Sequence, residues 1–330
     1  MSLPDWARAF GAPLFRATIR TTPQDFQVTE ELGFEFTGDG EHDYLWIEKT
    51  GANTEWVARQ LARVADVSAK DVGYAGLKDR HAVTRQWFSV PRWNAPDWNV
   101  LEVEGVKVLD AQRHNKKLRR GAHKANRFRI VLRENGLHTH AAATDKRVQL
   151  IRERGVPNYF GEQRFGRDGN NVSLADAWAS GKRLPRHKRS LAISTARSFM
   201  FNDYLDSRVR DGTWNTILPG DKANLDGTGS VFDVNDVDEE IERRCNEMDI
   251  HPAGELAGDG STGGNEAWIA ALRKARVERG TRRLRLNVVN LSCNIVEDAV
   301  ELSFALGRGA FATSVLRELA NVRATGGTSA

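Results

Sequence analysis

The chain has only two cysteines in 330 residues, Cys245 and Cys293, far apart and without CxxC or Cys/His spacing. That shortage implies neither a disulfide framework nor a structural zinc site. Long apolar runs are missing as well: nothing approaches the roughly 18 consecutive apolar residues of a membrane helix. The opening MSLPDWARAFGAPLF has no continuous apolar stretch of the signal-peptide kind. A chain that stays in the cytoplasm with reduced thiols is the expectation. Familiar catalytic signatures are also absent. There is no GxSxG or HExxH, and GDGSTGG at 258–264 is followed by Asn265, with Gly264 where a phosphate-binding loop needs Lys.

What is present is the composition of an ordinary globular chain, 40% hydrophobic and 28% charged, with enough aromatics to argue against wholesale disorder. A length of 330 residues favours two domains over one. The net charge of +4 conceals an asymmetry. Residues 1–111 hold 12 Lys+Arg against 17 Asp+Glu, whereas residues 112–330 hold 36 against 27. The bases are mainly arginine, whose planar fork grips phosphate with two hydrogen bonds. A GC-rich genome explains an arginine excess equally well, so the bias alone decides nothing.

The first 155 residues read as strand-turn-strand units. FRATIR (15–20) and FQVTEEL (26–32) alternate apolar and polar residues around the turn TTPQD, and YLWIEKT follows as a third strand. From Asn53, a good N-cap, Val57, Leu61, Val64 and Ala65 recur at helical spacing to about Asp66. VGYAG, QWFSV, 100–109 and 127–133 read as further strands, and 139–154 as a helix. This irregular mixture indicates an α+β fold with a mixed, mostly antiparallel sheet rather than a doubly wound one. Beyond Gly155 the texture becomes helical, near 171–179, 190–211 and 265–280, with Gly-, Asp- and Asn-rich loops between. Strands return in RRLRLNVVNL and AVELSFAL. A closing helix, FATSVLRELANV, precedes a Gly/Thr/Ser tail.

The densest charge feature is Gln112 to Arg133, with nine Lys or Arg and no acid. Such runs are often merely solvated. Two further basic clusters, at 182–189 and 273–285, and the nearby aromatics Phe128, Tyr159, Phe160 and Phe165 raise the nucleic-acid reading. Lys116, Lys117, Arg119, Arg120, Lys124, Arg186, Lys188 and Arg189 are the candidate phosphate contacts, expected to line a cleft between the two domains. Lone acids such as Asp25, Glu30 and Glu31 read as surface groups or caps. In Gly76-Leu77-Lys78-Asp79-Arg80 a carboxylate sits between two bases, with Gly73 and Gly76 placed to let another backbone approach. Taken alone, a polar surface turn is the better reading of that segment.

GLKDRHAVTRQW (76–87) nonetheless resembles, almost residue for residue, the catalytic motif of the tRNA pseudouridine synthase D family. NYFGEQRFG (158–166) resembles that family's second hallmark, and the likeness covers nearly the whole chain, weakest at 212–266. The resemblance implies a pseudouridine synthase-like catalytic domain formed by 1–154 and 300–330, with an α/β TRUD domain inserted at 155–299. It implies that Asp79 is the catalytic aspartate, and that Asn126 and Phe128 line the target pocket, Phe128 stacking on the base. Phe26 lies close by, and Lys78 is grouped with them at the substrate. The family usually has Lys where this chain has Arg20, which keeps the charge but not the shape. It usually has Ser after the glycine of the last motif, where this chain has Gly309-Ala310. Asn158, Phe160 and Arg164 are assigned to architecture.

The activity so implied is isomerisation of uridine to pseudouridine, at position 13 of tRNA, without a cofactor, by a monomer that needs no membrane or protein partner. Extruding the target nucleotide costs a few kcal/mol, which backbone contacts offset. The rivals are a synthase acting on another RNA and a non-catalytic RNA-binding or RNA-folding module on the same fold.

Overall fold

The computed structural model describes residues 3–94, 96–98, 101–296 and 298–324. In chain order the strands and helices begin with β1 (Phe15–Ile19), β2 (Phe26–Leu32), β3 (His42–Lys49), α1 (Thr54–Ala65), β4 (Gly73–Tyr74), β5 (Val83–Pro91), β6 (Val106–His114), β7 (His123–Arg133) and α2 (Ala141–Arg154). There follow β8 (Val156–Pro157), α3 (Asn170–Ala179), α4 (Arg186–Arg210), β9 (Lys222–Leu225), β10 (Val231–Asp233), α5 (Glu239–Asn246), β11 (Ile250–Leu256) and α6 (Glu266–Lys274). The last are β12 (Gly280–Arg283), β13 (Arg285–Leu286), β14 (Val289–Val296), β15 (Ala299–Gly307), α7 (Ala312–Leu319) and β16 (Ala320–Ala324).

Two compact units emerge. The sheet unit comprises Leu14–Val148, Val288–Gly309 and Leu319–Ala330. It is built on one mixed sheet in the order β14-β15-β7-β2-β5-β3-β6, with β1 joined to β16 and β7, and β4 joined to β5. Among the described residues only the β2/β5 and β1/β16 pairs are parallel. Strand alternation sets its faces. Phe26, Val28 and Glu30 of β2 are buried while Gln27, Thr29 and Glu31 are half-buried. On β3 the same phase holds Leu45, Ile47 and Lys49, none with any exposure. Helix α1 lays Val57, Leu61 and Ala65 against Leu45, Ile47 and Phe88, and each fully buried Val or Leu contributes about 1.5–3 kcal/mol. Asn53 holds the N-cap position in extended conformation, but its side chain makes no capping hydrogen bond.

The helical unit comprises Met1–Pro13, Gln149–Asn287 and Ala310–Glu318. Its core gathers Trp6, Tyr159, Phe165, Phe201, Trp214 and Trp268 around α4. The strands expected in an α/β insertion are present, but the four-stranded sheet β10-β9-β11-β12 is antiparallel throughout. The short connection from β9 to β10 closes a hairpin, which only antiparallel strands allow.

The units divide the chain differently from the expected 1–154 plus 300–330 and 155–299. The first residues and 310–318 belong with the helical unit. Arg317 donates to the Trp6 carbonyl at 2.6 Å, and Ser314 Oγ donates to the Tyr159 carbonyl at 3.1 Å. Two local expectations also change. The helix expected over 265–280 ends at Lys274, and the closing helix ends at Leu319 because Ala320–Ala324 pairs in parallel with β1. The Gly/Thr/Ser tail lies outside the described residues. Among the described residues no helix is long and apolar enough to cross a membrane.

Candidate active site

Asp79 lies on the loop between β4 and β5, and that loop is tied down from several sides. The Lys78 amide donates to Thr54 Oγ1 at 2.9 Å, Thr54 Oγ1 donates to Gln86 Oε1 at 3.1 Å, and Gln86 Nε2 donates to the Gly76 carbonyl at 3.1 Å. Arg80 Nε donates to the Gly51 carbonyl at 2.9 Å, and the Gly51 amide returns a bond to the Arg80 carbonyl at 3.0 Å. The carboxylate itself is oriented by the His81 amide, 2.9 Å from Oδ1. Gly73 fulfils the close-approach role assigned to it, since a Cβ there would lie 2.4 Å from the Leu118 carbonyl oxygen. Gly76 leaves room for ordinary contact.

The cation that meets the Asp79 carboxylate comes from elsewhere in the sequence. Arg20, just beyond β1, forms a salt bridge with Asp79 Oδ2 and sits 4.4 Å from the centre of the Phe26 ring. Its backbone is left-handed, φ 60°, a conformation that costs an ordinary side chain about 1–2 kcal/mol. The bases flanking Asp79 in sequence do other work. Arg80 is exposed and bound to Gly51. Lys78 Nζ is locked to Glu30 Oε2 at 2.7 Å, with side-chain exposures of 6% and 0%.

Phe26 and Phe128 meet edge to face with centroids 6.3 Å apart, and Phe128 stacks on Phe304 at 5.3 Å. Register explains the grouping: Glu30 pairs with Asn126 and Val28 with Phe128, so these side chains share one face of the sheet with Phe26. Among the described residues Asn126 Oδ1 is buried without a hydrogen-bond partner. Thus Arg20, Phe26 and Asp79 form one chain of contacts, Phe26 passes it to Phe128, and Asn126 and Glu30 lie beside them.

Sequence reasoning missed two residues here. Glu30, expected at the surface, is buried and also accepts from the Trp87 amide at 3.2 Å. Lys49 is fully buried, its Nζ donating to the carbonyls of Ala52 and Asp79, each at 2.9 Å, and of Lys78 at 3.4 Å. Asp25 is a cap as expected, accepting from the Thr22 amide at 3.1 Å, but not a surface group. It is buried, and Arg133 grips it with two bonds of 2.7 and 2.9 Å.

The basic candidates separate into free and engaged groups. Lys116, Lys117, Arg119, Arg120 and Lys124 are all exposed. Lys117 Nζ nevertheless donates to the Lys70 carbonyl at 2.7 Å, and the Arg120 guanidinium covers the Tyr74 ring at 3.6 Å. Arg186, Lys188 and Arg189 are exposed in the first turn of α4. The 273–285 cluster divides, with Arg273, Lys274, Arg276 and Arg279 exposed and Arg282, Arg283 and Arg285 turned inward. Arg282 packs 4.0 Å from the centre of the Phe160 ring, Arg283 binds Asp226, and buried Arg285 donates to the Cys245 and Ile250 carbonyls. In NYFGEQRFG, Asn158 Nδ2 donates to the Arg283 carbonyl, and Asn202 Nδ2 donates to the Phe160 carbonyl. Arg164 reaches Ser194 Oγ at 3.0 Å.

A family model described as tRNA pseudouridine synthase D (TruD) matches residues 9–174 and 170–319. The chain belongs to the TruD family. A tRNA pseudouridine synthase D from Methylococcus capsulatus is 46% identical over 96% of this chain and 94% of that protein. One from Hydrogenovibrio crunogenus is 40% identical over 98% of both. A crystal structure of a candidate tRNA pseudouridine synthase D from Methanosarcina mazei superposes with a TM-score of 0.74 over 98% of this chain and 99% of that one. At 19% identity that last likeness speaks for a shared TruD fold. The family match runs through 212–266, where the motif likeness is weakest.

Proposed function

We propose that this TruD-family chain isomerises uridine to pseudouridine in tRNA, at position 13, with Asp79 as the catalytic residue. The reaction breaks the bond from uracil N1 to the ribose, turns the base, joins C5 to the same sugar carbon, releases the C5 proton and adds one proton to N1. Nothing is gained or lost overall, so no redox partner or donor group is called for. The observation that carries the reading is an acid held in one orientation. The His81 amide and Arg20 fix the Asp79 carboxylate, and the loop beneath it is pinned at the Lys78 amide and the Asp79 carbonyl. Preorganised charge of this kind acts on a reacting sugar without first rearranging.

The surrounding residues suit a flipped uridine. Phe128 offers a ring for stacking, and Asn126 Oδ1 is a buried acceptor lacking a donor among the described residues, a match for the uracil N3–H. Leaving such an atom unpaired costs about 1–3 kcal/mol, a penalty that a bound base removes. Of the bases expected to meet phosphate, exposed Lys116, Arg119 and Lys124, and Arg186, Lys188 and Arg189, would hold it, whereas Lys117 and Arg120 are engaged with Lys70 and Tyr74. Arg186, Lys188 and Arg189 crowd the positive end of the α4 dipole, where an anion is favoured. A cytoplasmic enzyme acting as a single chain completes the proposal.

The test is an unmodified tRNA transcript with purified protein and no added cofactor. Product should appear at position 13. Asp79→Asn should abolish it while tRNA affinity stays within a few-fold. An active Asp79→Asn variant overturns the catalytic assignment, and product at another position overturns the site assignment alone.

A further inference from the structure

Lys49 is a cation with no exposure, and its chemistry is not explained by the sheet it belongs to. It ends β3 on the inward face, opposite Thr84 of β5, where an apolar residue would continue the series Leu45, Ile47. Instead its ammonium has three backbone acceptors: the Ala52 carbonyl before α1, and the Lys78 and Asp79 carbonyls of the acid loop. Its charged neighbours are Asp79 and Lys78 from that loop, with Glu30 of β2 holding Lys78 and Arg20 holding Asp79. The other groups around the loop base, Thr54, Thr84 and Gln86, are neutral. An ammonium has three protons, and here three carbonyls from two loops converge on it.

We infer that Lys49 is the positioning residue of the Asp79 loop, its ammonium fixing the peptide of the acid and thereby the carboxylate's approach to the ribose. This rests on the proposed role of Asp79. Loss of the clamp leaves the loop joined to α1 and β5 through Thr54 and Gln86, so the acid is displaced rather than released. A displacement of about 1 Å at a reacting group lowers a rate by about 100-fold.

Burial pulls the Lys49 ammonium down to about 8, the nearby Asp79 opposing that shift and Lys78 adding to it. Above about pH 8 the amine has one donor fewer than its acceptors require. Stability moves the opposite way. The unfolded chain keeps this proton up to about pH 10.4, so between about 8 and 10.4 the unfolded state binds more protons and this group makes the fold more stable as pH rises. A rate that falls there is therefore not unfolding caused by Lys49.

The experiment is single-turnover pseudouridine formation from about pH 7 to 9 on one tRNA transcript, for wild type, Lys49→Met and Asp79→Asn. Wild type should lose rate as pH passes about 8. Lys49→Met should be about 100-fold slower, lack that alkaline fall, and bind tRNA within about threefold of wild type, since Lys49 has no exposed atom to touch RNA. A Lys49→Met rate within about threefold of wild type, or the same alkaline fall in the variant, overturns the inference. Should the variant not fold, a wild-type rate that stays flat to about pH 9 overturns it alone. An inactive Asp79→Asn beside a fast Lys49→Met rejects only the Lys49 role, whereas an active Asp79→Asn rejects the reading beneath it.

Discussion

Arg20 reaches the Asp79 carboxylate from a left-handed backbone at the end of β1, and both side chains are sheltered without being sealed, at 17% and 26% exposure. The turn of the main chain brings the guanidinium off the strand and over the Phe26 ring, so one residue orders an acid and an aromatic together. An ammonium in its place can neutralise the acid but cannot lie flat on the ring.

Arg20→Ala should therefore slow single-turnover product formation by about 100-fold, the size seen when one preorganised donor is removed. Arg20→Lys should retain part of the rate, since it keeps the charge. Rate constants for the two variants on one tRNA check this. If Lys is no better than Ala, the fork rather than the charge is what matters.

The Glu30–Lys78 pair is sequestered from solvent, so its loss should act on stability in a characteristic way. Lys78→Met leaves a buried carboxylate whose remaining partner among the described residues is the Trp87 amide, at a cost of about 3–5 kcal/mol. Combining it with Glu30→Gln removes both charges, and urea unfolding should recover most of the loss. A double variant as unstable as the single one would mean that packing, not charge, governs the loss.

Much of this arrangement was legible in the sequence, and the remainder shows why some was not. The strands around Phe26 and Trp46 and the helix after Asn53 announce themselves by period, and their register then places Phe26, Asn126 and Phe128 on one face. Glu30 and Lys49 carried a signal that was available: each continues the inward phase of its strand, after Phe26 and Val28 or after Leu45 and Ile47. A charge in an apolar phase is either a break in the strand or a buried group with a purpose. What sequence spacing does not give is partner choice. Lys78 and Arg80 flank Asp79 along the chain, yet the carboxylate takes Arg20, because adjacent side chains on a loop point apart while a strand end from across the sheet points in. The Arg282–Arg285 cluster misled for a related reason, since a run of bases says nothing about which of them turn inward.

The basic run on β6 and the following loop separates contact from architecture. Lys116 and Arg119 are exposed, and neither forms an ion pair among the described residues, so each is available to a phosphate. Arg120 instead lies on Tyr74. Lys116→Ala with Arg119→Ala should reduce the slope of log affinity against log salt by up to about 2, with an unchanged melting temperature. Arg120→Ala should lower stability by about 0.5–2 kcal/mol through the lost ring contact. Salt titrations of tRNA binding and thermal melts distinguish the two. An unchanged slope places Lys116 and Arg119 on an idle surface.

In the helical unit, Arg285 Nε donates to His251 Nδ1 at 2.9 Å, so the imidazole proton resides on Nε2, which faces Asp226 Oδ1 at 2.9 Å. Arg283 donates to the same oxygen at 2.8 Å. Burial opposes ionisation of Asp226, but the bond from His251 and the charge of Arg283 outweigh it and hold the carboxyl at about 2. The unfolded carboxyl titrates near 3.9. Asp226 thus stabilises the fold above about pH 4, and that contribution is lost as pH falls from about 4 to about 2. His251 acts over a higher window. Burial lowers its proton affinity, so the unfolded chain takes up a proton first and stability declines as pH drops below about 6.5. Urea unfolding of wild type and Asp226→Asn at about pH 7, 5 and 3 should give curves that converge towards pH 3, since the Asn variant has already lost the Asp226 contribution. Curves that remain parallel would show that the carboxylate is no better stabilised in the fold than in the unfolded chain.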